Sequence, residues 1–232
     1  MALIRIGFFS ETLGMCTSCD VVLPQQTDAD APAREFPVMY LLHNLTKSHS
    51  TWQRMTCIER YALSHGVAVV MPDAQLSSYA DMLHGGKFFT YIADELPEIM
   101  RGFFPISAKR EETFICGSSM GGYGALKIGL SRPERFGVIG SLSSGYTSYR
   151  GYISRVDDRG LSLQYLTFGE TGLDEEDVET AEKARDFFSS FEGNPFDFEY
   201  TEHPGSHSWS FWDAHICDFL RYAGLNPRER YC

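Results

Sequence analysis

The sequence predicts an α/β fold with a mostly parallel central sheet flanked by helices, and two observations predict it. Short apolar runs rich in β-branched and aromatic residues alternate with segments whose apolar residues recur at helical spacing, the pattern of strands joined by helical crossovers. The 232 residues, 43% hydrophobic and 22% charged, suffice for one well-filled core, with no internal repeat and no linker separating two domains. The expectation is a single domain over residues 1–232.

The expected strands are 3–10, 16–23, 38–42, 67–71, 113–116, 138–142, 163–168 and 196–202. The first lacks the basic region, apolar stretch and cleavage site of a secretion signal, so it reads as a strand. It pairs antiparallel with the second at one edge. Residues 25–35, with Pro32 and two aspartates, read as a surface loop. Helices are expected at 88–104, kinked by Pro97, and at 122–131, 174–190 and 210–222.

A net charge of -11, with no Lys/Arg run, repels phosphate backbones and argues against nucleic acid as a partner. No apolar window approaches the roughly 18 to 20 residues that cross a bilayer, so a soluble, cytoplasmic protein without a membrane partner is expected. A homo-oligomer is compatible with this sequence. Of the six cysteines, most are expected as buried thiols. Cys16-Thr17-Ser18-Cys19 has zinc-ligand spacing, but no second Cys or His pair completes four ligands, so no metal is expected.

The chemistry begins at Thr113-Phe114-Ile115-Cys116-Gly117-Ser118-Ser119-Met120-Gly121-Gly122, a G-x-S-x-G pattern between a buried strand and a helix. A nucleophilic serine there stands on a sharp strained turn, and the residues two before and two after it must be small because backbones crowd. Gly117 and Gly121 meet that need around Ser119, not Ser118. The same turn could cradle a phosphate, but no Lys follows the glycines as in an NTPase loop.

Serine attack on an ester places negative charge on the carbonyl oxygen, which two backbone amides typically stabilise. Met120, after the nucleophile, supplies one; the loop after the third strand supplies the other, with Leu45 as candidate. His43 in that loop reads as a supporting residue, because in this chain order the base follows the acid. The base is then His203, His207 or His215. His215 falls inside a helix among Phe211, Trp212, Ile216 and Phe219, so it reads as packing; His207, after Gly205, is the choice and His203 the fallback. The orienting acid belongs on the loop after the penultimate strand, where Asp174 leads, followed by Asp177 and Glu170, in a cluster that also suits a solvated helix start.

Together these residues resemble the esterase D-like branch of the α/β-hydrolase fold, which includes bacterial tributyrin esterases, S-formylglutathione hydrolases and acetylxylan and feruloyl esterases. The resemblance runs along almost the whole chain, is nearest to tributyrin esterases, and rests on four segments. They are Tyr40-Leu41-Leu42-His43 with Ser50-Thr51-Trp52; Asp94-Glu95-Leu96-Pro97 to Phe103-Phe104-Pro105; Gly117 to Gly124; and His203-Pro204-Gly205-Ser206-His207-Ser208-Trp209-Ser210-Phe211-Trp212. Three features depart from the family. Asn44 stands where glycine is usual, Gly172 falls where the acid would be, so that Asp174 implies a small insertion, and residues 143–162 are short for the helices that usually cover the site, which implies a reduced cap.

The resemblance implies a cofactor-free serine esterase acting on acetyl to butyryl esters, acylated carbohydrates among them. A thioesterase like S-formylglutathione hydrolase would share the machinery. A degenerate hydrolase that only binds is the non-enzymatic alternative, opposed by the intact glycines, Ser119 and His207.

Overall fold

A computed structural model describes residues 1–25, 35–144, 164–171 and 197–227. Eight strands form one sheet in the order β1-β2-β4-β3-β5-β6-β7-β8: β1 Ala2–Ser10, β2 Met15–Leu23, β3 Val38–Leu42, β4 Ala68–Pro72, β5 Thr113–Ser118, β6 Val138–Leu142, β7 Gln164–Thr171 and β8 Asp197–Pro204. β1 pairs antiparallel with β2, and β2 with β4; every other pairing is parallel. All eight expected strands are present, most shifted by one or two residues. β7 extends to Thr171, which places Glu170 in the strand, opposite His203 of β8, rather than in the following loop.

The central strands β3 to β6 are buried on both faces, which is why they are dominated by apolar and small residues. In β3, Val38, Tyr40 and Leu42 face one core while Met39 and Leu41 face the other. The first core is covered by α5 (Met120–Ser131) and by a helix running through α3 (Phe88–Thr90), a π turn (Tyr91–Glu95) and α4 (Leu96–Phe103). The second is covered by α1 (Thr51–Met55), α2 (Ile58–His65) and α6 (Trp209–Tyr222), through Trp52, Ile58, Ala62, Phe211, Trp212, Ile216 and Phe219.

The expected kink at Pro97 takes the form of the π turn. Pro97 has no N–H for the Ala93 carbonyl, and just before it the helix changes register, so that Leu96 N–H bonds to Tyr91 O five residues back. Glu95 in this turn accepts backbone N–H bonds from Glu11 (2.8 Å) and Thr12 (3.2 Å), which ties the β1–β2 turn to the helix.

Five cysteines are described, all free thiols; Cys16 and Cys57 are exposed, Cys217 is half-buried, and only Cys19 and Cys116 are buried. This corrects the expectation that most are buried. Cys16 and Cys19 are three apart on β2, so they face opposite sides of the sheet and cannot share a metal. Among the described residues no helix is long and apolar enough to cross a membrane. Most of the 25–35 loop, the expected 174–190 helix and most of the short 143–162 segment lie outside the described residues.

Candidate active site

β5 ends at Ser118 and α5 begins at Met120, so Ser119 alone makes the turn, with φ 54° and ψ -118°. A non-glycine residue in that region costs about 1–3 kcal/mol, and its surroundings must hold it there. Here Ser119 N–H bonds to Leu142 O of β6 at 2.9 Å, and Ser119 O accepts from Tyr123 N–H at 2.9 Å.

The flanking glycines make this possible. A Cβ on Gly117 would lie 2.5 Å from the carbonyl of Gly121, and one on Gly121 would lie 2.3 Å from Leu42 O and 2.8 Å from His43 O. The first turn of α5 is therefore pressed against the end of β3, where the expected oxyanion loop begins. Ser119 is half-buried, whereas Ser118 is fully buried and its Oγ has no hydrogen-bond partner. Only Ser119 can meet a substrate from solvent.

Met120 is the first residue of α5, so its N–H has no intrahelical acceptor and remains available to an anion. Leu45 sits on the turn after β3, about half exposed, and the left-handed residue of that turn is Thr46 (φ 60°) rather than Asn44. An asparagine thus replaces the family's usual glycine without demanding a glycine conformation.

His43 shapes this loop, as the sequence reading expected. Ala74 N–H donates to His43 Nε2 at 2.9 Å, so the proton is on Nδ1, which donates to Asn44 O at 2.8 Å. Tyr79 O–H donates to His43 O at 2.8 Å, and Trp52 Nε1–H to Leu42 O at 2.9 Å. A Cβ on Gly124 would strike the Tyr79 ring, so α5 and the β3 loop are packed through this tyrosine. Tyr79 was not identified from sequence; its backbone is left-handed (φ 50°) without any glycine or asparagine to signal it.

Burial lowers the pKa of His43 against the opposing effects of its bond to Asn44 and of Asp73, and burial likewise lowers that of His65. Both are neutral in the fold and take up protons more readily when unfolded. Stability from this source is complete above the unfolded histidine pKa of about 6.5 and is lost as pH falls below it. The midpoint of thermal unfolding should therefore fall between pH 7 and pH 5. Each released histidine steepens the dependence by at most about 1.4 kcal/mol per pH unit. His43→Gln, which can still accept from Ala74, should flatten it; an unchanged slope would show that His43 is not part of it.

At the far side, β8 ends at Pro204 and the chain turns through Gly205, where a Cβ would come 2.4 Å from the Phe211 ring. His207 follows, exposed, with its ring edge-on to Trp212 at 5.1 Å. Trp212 Nε1–H donates to Ser143 Oγ at 3.0 Å, just beyond β6. Ser119 is bonded to that same strand end through Leu142, so β6 links the serine turn to the histidine loop on the carboxyl edge of the sheet.

His203 instead lies on β8, stacked on His215 at 4.2 Å, and His215 packs on Phe211 at 4.5 Å with Nδ1 3.0 Å from Asp218 Oδ2. Both behave as packing residues. Asp174 and Asp177 lie outside the described residues.

Comparison with known proteins agrees with this architecture. The Esterase family model, described as "Putative esterase", matches residues 10–223. The acetyl esterase of Caldicellulosiruptor saccharolyticus is 28% identical over 96% of this chain and 98% of its own length. The S-formylglutathione hydrolase of Paracoccus denitrificans is 30% identical, over 49% of this chain and 48% of its own. Among solved structures, a fluorophosphonate-binding serine hydrolase of Staphylococcus aureus superposes with a TM-score of 0.84 at 25% identity, covering 96% of this chain and 98% of the other. An S-formylglutathione hydrolase of the same organism gives 0.82 at 25% identity, with the same coverage. With its strained serine turn on the carboxyl edge of an eight-stranded sheet, the chain belongs to the Esterase family and is a carboxylic ester hydrolase of the α/β-hydrolase fold.

Proposed function

We propose that this chain hydrolyses acetyl to butyryl esters, acylated carbohydrates among them, with Ser119 as nucleophile, His207 as general base and Asp174 as the acid that orients it. The observation that carries the reading is the Ser119 backbone, held in a strained turn that sets its side chain free of both β5 and α5. His207 takes the Ser119 Oγ proton as Oγ bonds to the ester carbonyl carbon. The amides of Leu45 and Met120 hold the resulting oxyanion. His207 then returns the proton to the leaving oxygen as the carbon–oxygen bond breaks, and water, activated by the same imidazole, releases the acid from Ser119. Every step uses protein groups and water, so no cofactor is invoked.

Similarity to an acetyl esterase supports the short acyl group, and the short 143–162 segment supports an open acyl site. A closed apolar slot would gain about 0.8 kcal/mol per methylene, more than two orders of magnitude over four carbons; an open site forfeits most of that. In a p-nitrophenyl ester series run below the micelle concentration of the longest member, kcat/KM should peak between acetyl and butyryl and decline by octanoyl. Octanoate exceeding acetate tenfold would contradict the open site.

Similarity to S-formylglutathione hydrolases favours a second reading, thioester cleavage by the same residues, which side-by-side assays on phenyl esters and glutathione thioesters separate. The free, partly exposed thiols support a reducing, cytoplasmic location.

A further inference from the structure

His207 must protonate the departing oxygen, so the leaving group has to lie towards the histidine loop while the acyl chain points elsewhere. Beside the Leu45 loop and the start of α6, two residues beyond His207, the structure holds a cavity of about 390 Å³ lined by Thr46, Lys47, Ser48, Thr51, Arg54, Met55 and Trp209. Its walls come from three elements that frame the site: the loop directly after Leu45, α1, and the start of α6. Trp209 is two residues beyond His207 and is fixed edge-on between Trp52 (5.2 Å) and Trp212 (5.0 Å), so this wall is rigid and aromatic.

The charge in the cavity is opposite in sign to that of the chain as a whole. The chain carries a net charge of -11, and Arg5, Arg132 and Arg221 pair with Asp20, Asp94 and Asp218. Among the described residues Lys47 and Arg54 have no carboxylate partner, and the remaining lining is largely hydroxyl: Thr46, Ser48 and Thr51. Two cations with no ion-pair partner among the described residues, at a cavity lined also by three hydroxyls, Met55 and one aromatic wall, suit an organic anion.

We propose that this cavity is the leaving-group subsite and that it selects alcohols or thiols bearing a carboxylate a few bonds from the reacting atom, with Lys47 and Arg54 as the specificity residues. The proposal rests on the reading of Ser119 and His207 given above. Two exposed ion pairs of roughly two- to fivefold each predict a preference of about tenfold, weakened by salt.

The test compares 3-acetoxybenzoate with 3-acetoxybenzamide, which share the acetyl group and differ in charge on the departing phenol. At low ionic strength the wild-type kcat/KM ratio should favour the benzoate about tenfold, and in Lys47→Gln/Arg54→Gln that ratio should fall about fivefold or more. A second pair, phenyl hemisuccinate and phenyl butyrate, carries the charge difference on the acyl side, and its ratio should move less than about twofold in the same variant.

No preference in the wild type, an unchanged benzoate ratio in the variant, or a loss confined to the hemisuccinate pair would each overturn the subsite. Ser119→Ala assayed on 3-acetoxybenzamide reports on the catalytic reading separately. Retained turnover there overturns that reading, whereas Ser119-dependent turnover without charge preference overturns the subsite alone.

Discussion

Ser119→Ala and His207→Ala are each expected to lower kcat by about four to six orders of magnitude, with KM little changed, because removing either member of a coupled nucleophile–base pair removes nearly the whole covalent route. The double variant should be scarcely worse than either single one, since the two act in one step. His203→Ala should retain most of the activity: on β8 its ring stacks on His215 of α6, whereas His207 stands exposed on the loop beyond β8. Asp174→Asn should cost about four orders through loss of the correct imidazole tautomer. Steady-state kinetics on p-nitrophenyl acetate decide all five. Wild-type rates in His207→Ala with loss in His203→Ala would transfer the base role to His203.

The second large effect is structural. Gly121→Ala puts a methyl group 2.3 Å from Leu42 O and 2.8 Å from His43 O, both backbone atoms that no rotamer change can move. Either α5 must lift from β3 or the loop carrying Leu45 must shift, and both spoil the serine turn. Overpacking of this kind costs about 3 kcal/mol or more, which lowers the unfolding midpoint of a chain this size by roughly 6–12 °C. Activity should fall further than stability, because the displaced segment holds the proposed oxyanion donor. Gly102→Ala is the control: nothing lies within 4 Å of its Cβ position in α4, and alanine favours a helix by up to about 1 kcal/mol. Calorimetry showing equal midpoints for the two variants would contradict the packing argument.

What the sequence revealed follows from how local each signal is. The strands were legible because central strands buried on both faces leave continuous apolar runs such as Val38–Leu42 and Ala68–Pro72. The serine turn was legible because two backbones meet there and only glycine fits at 117 and 121. By contrast, α1 and α2 span five and eight residues, too short for a helical period to stand out, and they were missed.

The π turn was visible only as a proline in a helix, since its register change is stored in carbonyl geometry and not in side-chain type. Tyr79 and Asp73, which meet the His43 loop from the β4 side, are distant in sequence, and nothing in their neighbours marks them. The acid was ambiguous for the opposite reason: carboxylates crowd residues 170–177, and in sequence such a cluster suits a solvated helix start as well as a catalytic acid. Lys47 and Arg54 became informative only once the fold placed them around one cavity beside Trp209.

The central claim, that Ser119 in its strained turn is the nucleophile, is tested most directly by fluorophosphonate labelling followed by peptide mass spectrometry. One adduct is predicted, on the peptide containing Ser119, in the wild type and in Ser118→Ala, where removal of a buried hydroxyl with no partner should leave the turn intact. Ser119→Ala should show none. An adduct that persists in Ser119→Ala, or that maps to Ser118, would contradict the account.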